Sequence, residues 1–379
     1  MKILYVASNQ DLSSYHGGTI HVISVTKELL NQGHDVHLVY QKPNEKIVDV
    51  PLKAILHELP KRNSYLLWKN GKEIDELLDV VSPDLVMERY YNFAGEAILR
   101  GRKRGIKTVL EVNSPMIEYS GSVKNKVDAL LLGTLQRRRK KIADSADMII
   151  APIHEIVPDQ FQDKVKEIEW GADTEEFEPA YLPDREIIRM EKGFSDEDLL
   201  FIHFGSLRKW HGIEKLLDAF QQVRQKIKRP AKLVILGPYR QVTAEGVHFA
   251  GVVPHSELPV WLKMSDIAVL PFAPEKHRYL ELGFYWSPLK LFEAMAMELP
   301  LITYHHPRLV SILGTDDPAF YYDGTTQDLS EKMIAMAENL PVCIAAGKTF
   351  RQRLLKRYSW LIHGKKLNSW ITELVGNAQ

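Results

Sequence analysis

The chain has 379 residues, 45% of them apolar and 26% charged, a composition that suits a globular protein with a core large enough for two domains. Its 49 basic and 49 acidic side chains cancel, so no net field draws it to nucleic acid. A lone cysteine, Cys343, excludes an internal disulfide and fits a reducing compartment.

The opening MKILYVASNQDL has too short an apolar run for a signal peptide. No stretch nears the roughly 18–20 apolar residues that span a bilayer, so a cytoplasmic protein is expected. In the first half, β-rich runs alternate with longer helical patterns: KILYVAS, DVHLVYQ, DLVMERY, KTVLEVN and MIIAPI. After the first run, SSYHGGTIHVISVTKELL carries Gly17 and Gly18 into a helix, where a ligand can approach the backbone closely. A helix start that needs a glycine explains them equally well, and His21, one turn in, reads as a packed histidine. The dinucleotide fingerprint G-x-G-x-x-G follows neither half's first strand, which argues against a dehydrogenase. MERYYN and LEVNSPMIEYSG place Glu88, Arg89, Glu111, Asn113 and Glu118 at or just past strand ends. Such groups suit a polyhydroxyl ligand; a buried ion pair of Arg89 with Glu111 accounts for them as well. The basic runs RGRKRG (100–105) and RRRKK (137–141), the second beside ALLLGTL, are either solvated helix faces or contacts to an anionic lipid surface.

WGADTEEFEPAYLPDREIIRM is rich in Pro, Asp and Glu, has no period, and reads as a linker with the domain boundary near residue 180. Strand-like runs then resume as LLFIHFGSL, AKLVILG, VHFAGVV, IAVLPF, LITYH and AFYYDG, and an amphipathic helix closes the chain from about residue 359. Buried apolar strands separated by helices mean parallel sheets covered on both faces. Two such series predict two doubly wound α/β domains, 1–180 and 181–358. Ligands of such sheets bind beyond the C-terminal strand ends, and with two domains the cleft between them is the natural site.

Two segments of the second half sit at such ends. FGSLRKWHGIEKLLDAF (204–220) holds Ser206, Arg208, Lys209 and His211 between Gly205 and Gly212. That loop either clamps a diphosphate or is a solvated basic loop anchored by Trp210. YWSPLKLFEAMAMELP (285–300) reads as a helix with Ser287 at the N-cap and Pro288 at the first helical position. Leu289, Phe292, Ala296 and Leu299 face the core; Lys290 and Glu293 lie on the other side. A lysine at the positive end of a helix makes sense if an anion sits there, held by the amides of Leu289, Lys290 and Leu291. Glu293, one turn in, can accept from two neighbouring hydroxyls, as on a ribose. An ordinary cap with a Lys290–Glu293 surface pair is the alternative. No Cys, His, Asp and Glu cluster has metal-ligand spacing, and the acids at Asp196–Asp198 read as a helix start.

Several of these segments together resemble the family 4 glycosyltransferases. SPLKLFEAMAMELPLIT resembles their nucleotide-binding motif, IEWGADTEEFEP their interdomain linker, FGSLRKWHGIEKLLDAF their donor-phosphate loop and YHGGTIHV their glycine loop, and YSW precedes the last helix as it does there. The resemblance implies a GT-B fold: two Rossmann-like domains facing a cleft, acceptor in the first, nucleotide sugar in the second, and a C-terminal helix crossing back to the first. It implies a metal-independent, cofactor-free, retaining transfer of a hexose from a nucleotide-diphosphate sugar. The expected acceptor is a saccharide or a lipid-linked glycan of polysaccharide or envelope synthesis, with room for a peripheral membrane contact. Lys290, Glu293 and Arg208 are the expected catalytic groups, with Glu293 on the ribose. Gly18, Ser206, Lys209, His211, Tyr285, Ser287, Pro288, Leu289 and Leu291 are expected at the donor, and Gly17, His21, Arg89, Glu111 and Asn113 at the acceptor. The chain departs from the family pattern at three places. Tyr285 stands where a second glutamate is usual, Ser206 and His211 where an arginine and a lysine are, and Asn113 where a histidine is. Two other functions are compatible with the fold: a nucleotide-sugar epimerase or hydrolase, and a non-catalytic nucleotide-sugar-binding protein.

Overall fold

A computed structural model describes residues 1–43, 47–48, 53–118, 122–130, 133–206, 208–238, 244–277, 280 and 283–376. Tyr119, Ser120 and Gly121 of the loop after KTVLEVN, Leu131 and Leu132 of ALLLGTL, and Leu207 of the basic loop lie outside the described residues. The chain forms two units. One comprises Met1–Trp170, Tyr285–Ser287 and Trp360–Gln379; the other comprises Gly171–Phe284 and Pro288–Ser359.

The first unit runs β1 (Lys2–Ala7), α1 (Gly17–Asn31), β2 (Asp35–Gln41), β3 (Ile55–Leu59), α2 (Gly71–Val81), β4 (Leu85–Arg89), α3 (Glu96–Lys103), β5 (Lys107–Glu111), α4 (Val123–Leu130), α5 (Thr134–Ser145), β6 (Met148–Ala151) and β7 (Val165–Glu167). Its strands pair in parallel in the order β3-β2-β1-β4-β5-β6-β7, so the order reverses between β1 and β4. The central strands are apolar on both sides because helices cover both faces: Ile3 to Ala7 are fully buried. Leu4, Val6, Val39 and Val86 pack with Ile74, Leu78 and Val81 of α2 and Ala97 of α3. The two strands that the sequence pattern does not reveal are the two edges. β3 reads ILHEL and is mostly exposed; β7 reads VKE, only three residues long. Edge strands carry less apolar signal because only part of each is covered.

The second unit runs α6 (Arg185–Lys192), β8 (Leu199–Phe204), α7 (Ile213–Lys226), β9 (Ala231–Leu236), β10 (Val247–Gly251), α8 (Leu258–Met264), β11 (Ile267–Leu270), α9 (Leu289–Ala296), β12 (Leu301–Tyr304), α10 (Pro307–Leu313), β13 (Tyr321–Tyr322), α11 (Thr326–Glu338) and α12 (Leu340–Arg357). Its sheet is parallel too, in the order β10-β9-β8-β11-β12-β13, reversing between β8 and β11. The last helix, α13 (Trp360–Gly376), belongs to the first unit and packs along α1, with Asn368 bonded to His34 at 2.8 Å.

The chain leaves the first unit after Trp170, earlier than the boundary expected near 180. The linker is not loose. Ala172 N–H donates to Tyr358 O at 3.0 Å, Phe177 is buried, and Arg351 of α12 donates to Phe177 O at 3.0 Å and pairs with Glu178. These bonds make Gly171–Glu178 part of the second unit. Asp196–Asp198, expected at a helix start, instead form a turn before β8, where Asp198 accepts the Ser195 amide at 2.9 Å.

Candidate functional site

In a doubly wound sheet the ligand site lies beyond the strand ends where the order reverses. In the second unit that place is bordered by the end of β8, the loop Gly205–Gly212 and the start of α9. The helix starts one residue later than the sequence suggests. Pro288 is the N-cap, Leu289 is the first helical residue, and no side chain caps the end. Ser287 is not the cap. It belongs to the first unit, where its hydroxyl accepts from Trp170 N–H at 3.1 Å and donates to Glu169. Tyr285 joins the first unit too and is buried, its ring 4.7 Å from that of Trp286. Leu291 N–H closes the first turn onto Pro288 O at 2.9 Å, so it is not available to an anion; the amides of Leu289 and Lys290 have no partner among the described residues. Leu289, expected in the core, is half-buried.

Lys290 reaches back against β8. A Cβ on Gly205, which has φ +111°, would lie 2.3 Å from Lys290 Cε, so the lysine stem occupies the space a side chain there would fill. Its Nζ is 3.1 Å from His211 Nδ1, and no carboxylate pairs with it among the described residues. His211 Nδ1 also meets the Ser206 carbonyl; it can accept from the ammonium or donate to the carbonyl, but not both at once. Burial pushes the Lys290 ammonium down to about 7, with Glu293 opposing. Burial, then Lys290, pushes His211 down to about 3. His203 on β8 donates Nδ1–H to Val269 O at 2.8 Å and leaves a buried Nε2 with no partner. Burial and then Lys290 hold it well below the usual histidine range. The cluster is therefore a partly buried amine, charged below about pH 7, among neutral imidazoles, with no anion beside it among the described residues. The loop beside it is tightly built. Gly212 has φ +68°, and a Cβ there would sit 1.8 Å from Pro271 O. Trp210 stacks on Phe272 at 6.0 Å, the packing role open to it in the sequence. Ser206, Arg208 and Lys209 are exposed, and neither cation is in an ion pair among the described residues.

Glu293 is buried one turn into α9. Its Oε1 lies 2.9 Å from His255 Nε2, and the other ring nitrogen of His255 lies 3.2 Å from Glu176. Burial works against the imidazolium, but the bonds to Glu176 and Glu293 outweigh it and lift His255 to about 10. Glu293 Oε2 has no hydrogen-bond partner among the described residues. Sequence reasoning missed His255, His203 and Glu176. His255 and Glu176 lie far from the helix motif in sequence, and His203 sits inside a run that reads only as a buried strand.

The first unit's strand ends are finished differently. His16 caps α1: its Nδ1 accepts from Gly18 N–H at 3.1 Å and Thr19 N–H at 3.3 Å. Gly17 is the first helical residue, so the glycine loop presents a tip already capped by the chain. Arg89 donates to His21 Nδ1 at 2.9 Å, His21 Nε2 lies 3.1 Å from Glu111, and Tyr5 O–H donates to Glu111 at 2.7 Å. All four are buried. Burial, then Arg89, holds His21 well below its usual range; burial raises Glu111 against the pull of Arg89. The buried ion-pair reading of Arg89 and Glu111 is thus realised, at 3.9 Å with His21 between them. Asn113 accepts from Trp170 Nε1–H at 2.9 Å and leaves its Nδ2 without a partner. Glu88, expected at a ligand edge, instead caps α3 by accepting from Gly95 and Ile98 amides; burial lifts it to about 7. Glu118 pairs with Arg139 at 2.6 Å.

The basic runs are largely neutralised. Arg100, Arg102 and Arg104 pair with Glu96, Asp75, Asp147 and Asp79, and Arg138 with Glu96. Arg137, Lys140 and Lys141 are exposed. No helix among the described residues is long and apolar enough to cross a membrane. Among the described residues one group of side chains is close enough to share a metal, the exposed His154, Glu155 and Glu167; Glu167, remote in sequence, completes it.

Residues 15–167 match the family described as Glycosyltransferase Family 4, and residues 198–339 match the family described as Glycosyl transferases group 1. No curated protein matches the chain. Among solved structures, sucrose-phosphate synthase from Thermosynechococcus elongatus is 17% identical with a TM-score of 0.72, covering 99% of each chain. A glycosyltransferase from Rickettsia africae is 16% identical with a TM-score of 0.73, again covering 99% of each. Anabaena HepE in complex with UDP and glucose is 14% identical with a TM-score of 0.71, covering 98% of this chain and 100% of its own. At such identities these structures speak for the fold. The two sheets and the two family matches, one in each half of the chain, mark a family 4-like glycosyltransferase of the GT-B fold.

Proposed function

We propose that the chain is a retaining glycosyltransferase that moves a hexose from a nucleotide-diphosphate sugar to a saccharide or lipid-linked acceptor in polysaccharide or envelope glycan synthesis. One observation carries the donor assignment: among the described residues, partly buried Lys290 has no anionic partner and stands at a helix tip whose first two amides have no acceptor. A diphosphate supplies the missing charge. Glu293 offers Oε2 to the ribose hydroxyls, with Pro288 and Leu289 forming the lip of the site. Arg208, Lys209, Ser206 and His211 line the loop on the other side of the phosphates. HepE, of the same fold, binds UDP and glucose, which supports a nucleotide sugar here.

In this reading the bond from the anomeric carbon to the phosphate oxygen breaks as the acceptor hydroxyl attacks the same face. The acceptor proton passes to the leaving phosphate oxygen, so no protein base is required where Asn113 replaces the usual histidine. Charge grows on the diphosphate, where the preorganised α9 amides and Lys290 stabilise it most. Lys290, Arg208 and Lys209 take the role a metal has elsewhere, so the reaction needs none. Acceptor recognition falls to the first unit's strand ends, where Asn113 Nδ2 is an unused donor beside the closed His21–Arg89–Glu111 group. The buried, unbridged Cys343 fits a cytoplasmic setting. Exposed Lys103, Lys140 and Lys141 are available for a peripheral membrane contact.

The test is a turnover panel of UDP-, GDP- and ADP-sugars with saccharide and lipid-linked acceptors, the product anomer read by NMR. Transfer with the donor's anomeric configuration, lost in Lys290→Ala and Glu293→Ala, is expected. Full activity in both variants, or an inverted product, contradicts the proposal. Fast release of free nucleotide without acceptor would favour a hydrolase or epimerase.

A further inference from the structure

Lys290 and Glu293 stand three residues apart on α9, the spacing at which a lysine and a glutamate on one helix face ordinarily pair. They do not pair. The carboxylate is turned to His255, at 2.9 Å, on the short turn after β10. That imidazole is itself held. Its other nitrogen is 3.2 Å from Glu176, and its ring lies 5.4 Å from that of buried Phe177. Arg351 in turn binds the Phe177 carbonyl at 3.0 Å and the neighbouring Glu178.

We propose that His255 is a positioning residue: bridging Glu176 and Glu293, it keeps the Glu293 carboxylate off the Lys290 ammonium, so that the cation stays free for the donor diphosphate and Oε2 for the ribose hydroxyls. The inference rests on the donor-site reading above and adds the means by which two opposite charges on one face of a helix are kept apart. Freed from His255, a buried carboxylate lowers its free energy by turning to the nearest cation, and the helix then cancels its own site. With both ring nitrogens donating, His255 satisfies one oxygen of each carboxylate and leaves Glu293 its second oxygen for a ligand.

The test separates the two functions of the helix with three probes. Inorganic pyrophosphate reports the Lys290 tip alone. UDP, GDP and ADP, each against its 2′,3′-dideoxy counterpart, report the ribose contact. In the wild type, the best-bound nucleoside diphosphate binds about tenfold tighter than its dideoxy form. His255→Gln weakens pyrophosphate about tenfold and removes the preference for ribose. His255→Gln combined with Glu293→Gln regains pyrophosphate affinity, because no carboxylate remains to capture the ammonium, while the ribose preference stays lost. That recovery is not the result of a merely structural role. Glu176→Gln, which keeps His255 but unties it, gives the same losses in weaker form and serves if His255→Gln does not fold. Wild-type pyrophosphate affinity and ribose preference in the folded variant would overturn the inference. A wild type that binds neither pyrophosphate nor any nucleoside diphosphate would overturn the donor-site reading itself, and this inference with it.

Discussion

At the ends of β1, β4 and β5 the first unit meets its own charges. Arg89 and Glu111 are opposite charges in one buried group with His21 and Tyr5, although Glu111 Oε1 accepts no hydrogen bond among the described residues, and His16 caps the helix that follows β1. At the ends of β8 and β11 the second unit does not. Among the described residues the α9 tip has no side-chain cap, Lys290 pairs with no carboxylate, and His203 keeps an unused buried nitrogen. The six strands of the second sheet follow the order of the first six of the other, and so share its place for a ligand, but among the described residues it is the second unit that leaves a cation at its strand ends without a carboxylate. The fold marks where a ligand can bind; in the proposed donor reading, the unfinished electrostatics mark the unit that holds the anion.

The comparison predicts that substitutions cost stability in the first cluster and affinity in the second. The largest effect is expected from Arg89→Leu, which strands the buried Glu111 and lowers unfolding free energy by about 3–5 kcal/mol in urea. Nucleoside diphosphate affinity of the folded variant should be unchanged; a large affinity loss would erase the contrast. Gly212→Ala should cost about 2–4 kcal/mol, since its Cβ meets the Pro271 carbonyl and its φ is positive. Here thermal stability and donor affinity fall together. Gly205→Ala strains the backbone at φ +111° and pushes on Lys290 Cε, so the expected loss is about tenfold in nucleoside diphosphate affinity together with a lower melting temperature.

The smallest effect is a pH dependence. Burial pushes Lys290 down to about 7 in the free protein, and a bound anion raises it. The complex therefore holds a proton that the free protein gives up above pH 7. Affinity is fully present below about pH 7 and falls as pH rises, by at most about tenfold per unit. Calorimetry in buffers of different ionisation enthalpy would show proton uptake above pH 7, absent in Lys290→Arg, whose guanidinium stays charged. A flat profile in the wild type would remove Lys290 from the phosphate.

Much of this was legible in the sequence because it is local. The α9 motif carries Lys290 and Glu293 within one turn, and every strand of the second sheet announces itself as an apolar run. The edges β3 and β7 escaped because half-exposed strands lack that run. Ser287 and Pro288 looked like a cap and a first helical residue on propensity alone; the tertiary bonds of Ser287 to Trp170 and Glu169 override that preference. Whether Arg89 and Glu111 serve a ligand or each other depends on a third residue, His21, brought in from another element. The Glu176–His255–Glu293 chain joins three distant segments, and no spacing rule reports it.

The most direct measurement is a calorimetric titration of pyrophosphate and of UDP, GDP and ADP into the wild type and Lys290→Met. Binding by the wild type, weakened about 100-fold in the variant with its melting temperature kept, is the predicted result. Equal affinity in the two proteins would contradict the claim that the α9 tip and Lys290 hold the diphosphate.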